Sequence, residues 1–356
     1  MRNMKKILSL LLILLLIFSL VACRGTDVVK DDDGVVEISG EDEKEERPYE
    51  GTVLEVSVAY GGAENSFAQF TEETGIEIEW VSMSTGAKLS QLQAEEGETT
   101  TDVWFGGGVD SYINAIKLGY LHQYKSPGYA NIDDKYIDPE GYYGALAIVP
   151  HGIIINDDLI TELGLDVPET WQDLTDPQYR GEITMADPSI SGGQYAIHSG
   201  LIQAMGEEDA WKFWEAIDKN VGFYGQSGGE PAQKVAEGEF AIGLTAITGG
   251  TFGLTETAPV TPVFLDKVPW IPAPIAIFEN SKNKDAAKAF VDWYVSDHGQ
   301  SILKDADARI MANRNVEPPE DLAAILDMDK LIDFDLIKMG SDRESTLARW
   351  AEITGE

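Results

Sequence analysis

Apolar and polar side chains alternate from Val53 to Tyr60 and stop at Gly61-Gly62, which predicts a strand and a turn. Phe67 and Phe70 recur at helical spacing between Ala63 and Thr74, Gly75 is a suitable helix stop, and β character resumes from Ile76 to Val81. This is a βαβ unit. Hydroxyls in Ser82-Met83-Ser84-Thr85-Gly86 then precede a helical run from Ala87 to Glu96. A third strand, Asp102 to Phe105, ends on Gly106-Gly107-Gly108. Three strand ends share one lip, where an open α/β sheet binds ligands and helix N-termini offer unpaired N–H groups to an anion.

The pattern continues in the same style. Ser111 to Leu121 reads as a helix, and 124–143 as mostly loop. Residues 144–149 and 152–156 are apolar runs broken at Pro150-His151, fitting two buried strands that carry the chain out of a first lobe. A short helix is expected over 157–171, a strand over 182–186, and a polar loop at 187–193 opening a helix over 194–205. Helix 211–219 and strand 222–224 lead to Gly225-Gln226-Ser227-Gly228-Gly229-Glu230-Pro231, with Pro231 suited to a first helical turn. Strand 240–245 ends near Thr248-Gly249-Gly250. Apolar strands 260–264 and 275–278, flanking Trp270 to Pro274, predict a return crossing. The helical stretches 285–303 and 321–350 are expected to pack on the first lobe. The fold class is therefore α/β with two lobes, each an open, mainly parallel sheet flanked by helices. Lobe 1 spans 51–149 and 275–356, and lobe 2 spans 150–274; 306 residues are too many for one core.

The N-terminal segment is organised differently. Arg2, Lys5 and Lys6 precede an apolar run from Ile7 to Ala22, shorter than the ~20 residues a spanning helix needs. It closes on Leu20-Val21-Ala22-Cys23, and Cys23 is the only cysteine in the chain. Residues 24–50 hold eleven acids, four bases and one aromatic, Tyr49, too little apolar area to offset ordering. We read 1–22 as a signal peptide and 23–50 as an acidic, self-repelling tether.

Charge narrows the function. With 26 bases against 62 acids the formal net charge is −36, which argues against nucleic-acid binding because phosphate contact needs basic patches. His122, His151, His198 and His298 show no metal-ligand spacing.

Several stretches together carry a family resemblance. They are Gly75-Ile-Glu-Ile-Glu, Ser84-Thr-Gly, Asp102-Val-Trp-Phe-Gly-Gly-Gly, Tyr124-Lys-Ser-Pro, Val167-Pro-Glu-Thr-Trp-Gln-Asp-Leu, Tyr179-Arg-Gly, Asp187-Pro-Ser, Gln226-Ser-Gly-Gly-Glu-Pro and the helical run from Ala286 to Gln300. In order and spacing the chain resembles the substrate-binding proteins of ABC importers, in the branch with ferric-iron, thiamine, phosphonate and hexose-phosphate receptors. The resemblance implies two α/β lobes of the type II periplasmic-binding-protein fold, closing on ligand at a hinge of two crossings. It also implies permease and ATPase partners, no cofactor, no catalytic residue and a monomer. Leu20 to Cys23 resembles a lipobox, which implies that Cys23 is lipidated and anchors the receptor to the outer face of the cytoplasmic membrane, in a periplasmic or extracellular setting.

The expected cargo is a small anionic solute bearing phosphate or phosphonate. Ser84, Thr85 and Gly86, then Ser191, Gly192 and Gly193, then Ser227 and Gly228 each place hydroxyls and bare amides at a helix start, where the dipole favours an anion. Gly61 and Thr248 mark further strand-end turns. Tyr60, Trp104, Tyr224 and Trp270 are expected to meet the rest of the ligand, although each also suits a core. Glu64 and Glu230 would suit a ligand ammonium, and His198 a sugar or phosphate. Three alternatives stay open. A ferric-iron receptor of the same fold would use adjacent tyrosines, whereas this chain has Thr248-Gly249-Gly250 at that place and its one Tyr-Tyr pair at Tyr142-Tyr143. A serine esterase would use Ser227 in Gly225-Gln-Ser-Gly-Gly229, but Gly228 to Pro231 delays the helix that a nucleophile elbow needs. An adhesive surface lipoprotein would need no closable cleft.

Overall fold

In the computed structural model, which describes residues 47–355, the first alternating stretch forms β1 (Val53–Val58), with Leu54, Val56 and Val58 buried. The expected leader, Cys23 and the tether as far as Glu46 lie outside the described residues. Arg47 to Glu50, assigned above to the tether, instead turn onto the body. There Tyr49 packs against the core and the Gly51 N–H donates to the Gly75 carbonyl at 2.9 Å. Helix Glu64–Thr74 buries Ser66, Phe67 and Phe70 and ends at Gly75, whose φ of 74° is costly for residues with a Cβ. β2 (Glu77–Ser82) and β3 (Val103–Phe105) flank β1, both parallel to it.

β4 (Leu121–His122) is short, and β5 (Gly144–Asn156) is buried along its whole length. The break expected at Pro150-His151 is absent, because β5 is one strand that changes partners there. Residues Gly144 to Pro150 pair antiparallel with β10 (Trp270–Phe278), and β11 (Ile310–Met311) pairs with the same half. From His151 onward the partners are β8 (Ile242–Ala246) and β9 (Val260–Val263). Proline lacks an N–H donor, and it sits where one ladder ends and the next begins. β6 (Ile183–Ala186) pairs in parallel with β8 and with β7 (Val221–Gly225). The path reads β2-β1-β3-β10-β5-β8-β6-β7.

Other boundaries also differ from the sequence pattern. The helix expected to reach Trp171 ends at Leu163, because Gly164 takes a φ of 65°. The helix expected over 285–303 divides at Ser296, whose hydroxyl accepts the Gly299 N–H at 3.0 Å and starts a new helix, Asp297–Ala306. β10 includes Pro272 and Pro274, with a register shift between Ala273 and Pro274 that accommodates prolines in a central strand.

Buried side chains form two main groups. One gathers Phe67, Phe70, Phe105, Phe290 and Tyr294, and the other Trp171, Trp211, Trp214 and Leu244. Trp270, Ile271 and Ala273, expected in the second lobe, pack in the first group. Trp350, expected on the first lobe, packs in the second, because helix Arg343–Thr354 carries its ring against Trp214, His198 and Tyr224.

His198 lies fully buried in that second group, stacked on Trp214 with centroids 3.6 Å apart, its Nδ1 donating to the Gln194 carbonyl at 3.0 Å. It therefore packs in the core, where the sequence left open a role in sugar or phosphate contact. Burial pushes its pKa down to about 3 from an ordinary 6.5. Between these values the unfolded chain binds a proton that the folded chain refuses, so folding stability falls with pH by up to about 1.4 kcal/mol per unit. Denaturant unfolding of wild type should weaken steadily from pH 6.5 towards 4.5, and His198→Gln should weaken with a visibly shallower slope. Equal slopes would remove His198 from the acid response.

Candidate functional site

A cavity of about 770 Å³ lies where β5 changes partners, bordered by residues of both buried groups. That volume falls within the usual range for small-molecule sites. Its floor includes Val149 and His151 of β5, Ile271 and Ala273 of β10, and Leu244 to Ala246 of β8. Around this apolar floor stand the strand-end turns and helix starts.

Ten of the residues singled out in the sequence border the cavity: Tyr60, Gly61, Ser84, Thr85, Ser191, Gly192, Gly193, Ser227, Gly228 and Thr248. Two helices supply the most open starts. Helix Thr85–Ala94 is capped by Ser84, whose hydroxyl accepts the Ala87 N–H at 3.4 Å, and helix Gly192–Met205 by Ser191, which accepts from Gln194 at 3.2 Å. Neither helix has an acidic residue in its first turn. The starts meet closely. A Cβ on Gly192 would stand 2.7 Å from Thr85 Oγ1 and 2.8 Å from the Gly108 Cα, so the absence of a side chain is what allows the approach.

Two other starts carry their own carboxylates. In helix Val109–Lys117 the buried Asp110 receives Arg343 Nε at 2.7 Å, and Arg343 Nη2 also donates to the Ser189 carbonyl at 3.0 Å. In helix Glu230–Ala236 the Glu230 carboxylate turns back to accept the Gln226 N–H at 2.6 Å. The expected exposed glutamate at a ligand ammonium is thus engaged with its own loop. The start of helix Gly249–Thr255 is partly taken as well, since the Gly249 N–H donates to the Ala308 carbonyl at 2.6 Å.

Four expected contacts are not on the cavity wall. Trp104 is fully buried between Tyr112 and Phe278, with centroids 4.2 and 5.7 Å away. Trp270 donates its indole N–H to the Ile332 carbonyl at 2.9 Å within the first group. Tyr224 donates to Asp218 at 2.6 Å and faces Trp350. Gly86 lies against the loop before Ser191, where an added Cβ would meet the Ser189 carbonyl oxygen at 2.6 Å. In each case the neighbouring element claimed the residue for packing.

The structure adds groups that the pattern did not reveal. Arg309 lies with its guanidinium 3.7 Å from the centroid of the Tyr60 ring, pairs with Asp307 at 2.5 Å and donates to the Gly61 carbonyl at 3.2 Å. Burial raises the Tyr60 phenol well above its ordinary range while Arg309 opposes the shift. An arginine so placed keeps donors for an oxyanion. A lone basic residue between two helical stretches has no sequence signal. His151, weighed only for metal spacing, stands on the cavity floor. Of the Tyr142-Tyr143 pair, Tyr143 packs against Tyr112 in the first core, away from the cavity wall.

The model of the bacterial extracellular solute-binding proteins matches residues 101–335. The chain belongs to that family. It is 28% identical to the periplasmic binding protein AfuA of Actinobacillus pleuropneumoniae, solved with exogenous fructose-6-phosphate bound, over 85% of this chain and 98% of that one, with a TM-score of 0.79. A Haemophilus influenzae protein described as uncharacterised is 29% identical over 301 residues, 81% of this chain and 86% of its own. The phosphoglycerate transport regulatory protein PgtC of Salmonella typhimurium is 28% identical over 162 residues, 46% of this chain and 41% of its own. As a solute-binding protein with the two-lobe type II periplasmic-binding fold, the chain is the substrate-binding component of an ABC importer. Solute-binding proteins of this family serve transport. Among the described residues no helix is long and apolar enough to cross a membrane.

Proposed function

We propose that this solute-binding protein captures a small phosphate-bearing solute in the cavity, closes its two lobes over it and presents it to its permease. The observation that carries the reading is the approach of two acid-free helix starts, Ser84-Thr85 and Ser191-Gly192, beside Arg309 in a chain of net charge −36. Bare amides at a helix start and a guanidinium both favour an oxyanion. Acidic residues elsewhere on the surface give that local reversal of sign its selectivity. The likeness to AfuA, solved with fructose-6-phosphate, and to PgtC of phosphoglycerate transport supports the same cargo class.

Closure uses the crossings at β5 and at the segment entering β10, where the chain passes between the two buried groups. A ligand that bridges both helix starts binds the closed arrangement better than the open one and so shifts the population towards it. Ligand at a hundred times its dissociation constant should stabilise the protein by about 2.7 kcal/mol. Fructose 6-phosphate or 3-phosphoglycerate should therefore raise the unfolding midpoint by several degrees, while fructose and glycerate leave it unchanged. A response to the unphosphorylated compounds alone, or to ferric ion alone, would overturn the reading.

We further propose that Cys23 is the lipid anchor, on the strength of Leu20-Val21-Ala22-Cys23 after a short apolar run. Metabolic labelling of expressing bacteria with an alkyne fatty acid should mark the wild type and leave Cys23→Ser unlabelled. Equal labelling of both would exclude Cys23 as the anchor.

A further inference from the structure

His151 stands out among the cavity residues because neither ring nitrogen is held in a well-formed hydrogen bond. It is 1% exposed, yet neither Nδ1 nor Nε2 has a hydrogen-bond partner. Buried polar groups are almost always paired, so two orphaned nitrogens on one ring need an explanation. The position supplies one. Along β5 alternate residues share a face, and Val149 and His151 both border the cavity while Pro150 does not. His151 is also the first β5 residue to pair with β8, opposite Ala246, at the junction of the two ladders. Its Nε2 lies 2.9 Å from where a Cβ on Gly193 would stand, in the first turn of helix Gly192–Met205. Glycine there lets the first turn of that helix come against the ring edge, where a side chain would not fit.

We infer that His151 hydrogen-bonds a hydroxyl of the cargo, making this cavity selective for hydroxylated phosphate esters over phosphate esters without hydroxyls. The inference rests on the phosphate reading above and assigns what binds beside the anion. Burial pushes the imidazole down to about 4, and Arg309 acts in the same direction. The backbone of Pro269 and Val149 beside the ring pulls the other way. At neutral pH the ring is uncharged and offers one donor and one acceptor. A hydroxyl has that same pair of capacities. A phosphate oxygen accepts only, and donors for it stand at the two helix starts and at Arg309. The division of labour is therefore chemical: cationic and amide donors for the anion, a neutral imidazole for the alcohol. Sites built to hydrogen-bond a substrate hydroxyl reject analogues that lack it, because the buried partner is then left unpaired.

The test compares the dissociation constants of fructose 6-phosphate and butyl phosphate, by calorimetry at pH 7.5, for wild type, His151→Leu and His151→Gln. Thermal unfolding of each variant monitors folding. Wild type should prefer the sugar phosphate. His151→Leu should lose that preference by tenfold or more, and His151→Gln, which keeps a donor and an acceptor, should retain most of it. Equal affinity of wild type for the two esters, or a preference that survives in His151→Leu, would overturn the inference and leave the phosphate reading intact. If His151→Leu fails to fold, the comparison rests on wild type and His151→Gln, and a preference lost in His151→Gln overturns it. Binding of neither ester by wild type would overturn both.

Discussion

The site depends on a contact between backbones. Gly192 comes so near Gly108 and Thr85 that no side chain fits between them, and this proximity brings helix starts from opposite sides of the cavity to one place. A helix start contributes only a fraction of a charge, and its effect fades within a turn. Two of them act together only if they nearly touch. Smallness at Gly192 thus does what a strongly basic patch would do elsewhere.

The distribution of acids follows the same constraint. Helices Val109–Lys117 and Glu230–Ala236 also begin near the cavity, and each has a carboxylate in its first turn that consumes the local positive end. Asp110 is buried and held by Arg343, which also reaches the Ser189 carbonyl, so that pair ties helix Val109–Lys117 to the loop ahead of Ser191. Removing one partner of such a buried pair leaves an uncompensated charge, a severe loss, so the tie is structural. Of the starts without acids, two are capped by serine hydroxyls, and the third, that of Gly249–Thr255, has its first amide taken by the Ala308 carbonyl. β5 then sets the spacing between the halves, since its unbroken course joins the ladder of β10 to that of β8.

Much of this was legible in the residues. Val53 to Tyr60 gave its strand by alternation, Gly75 its helix stop, and Ser84-Thr85 and Ser191-Gly192 their capped starts, because each is a local decision made within a few residues. What failed was decided at a distance. Pro150 and Pro274 looked like breaks because a proline cannot donate, yet partners that change or shift register beside them absorb that defect. Trp104 and Trp270 looked like ligand platforms, and neighbours far along the chain, Phe278 and Ile332, claimed them for the core. Trp350 joined the second group through a helix whose direction no periodicity records. Arg309 and His151 carry no local signal for a related reason: their surroundings come from Tyr60, Asp307, Ala246 and Gly193, which meet only in the folded chain.

The most direct test is a crystal structure with fructose 6-phosphate bound, read for the position of the phosphorus atom. The phosphate oxygens should accept hydrogen bonds from first-turn amides of both serine-capped helices, with Arg309 close enough to share the charge. A phosphate bound away from the Thr85 and Gly192 amides, or held by only one of the two helices, would contradict the account.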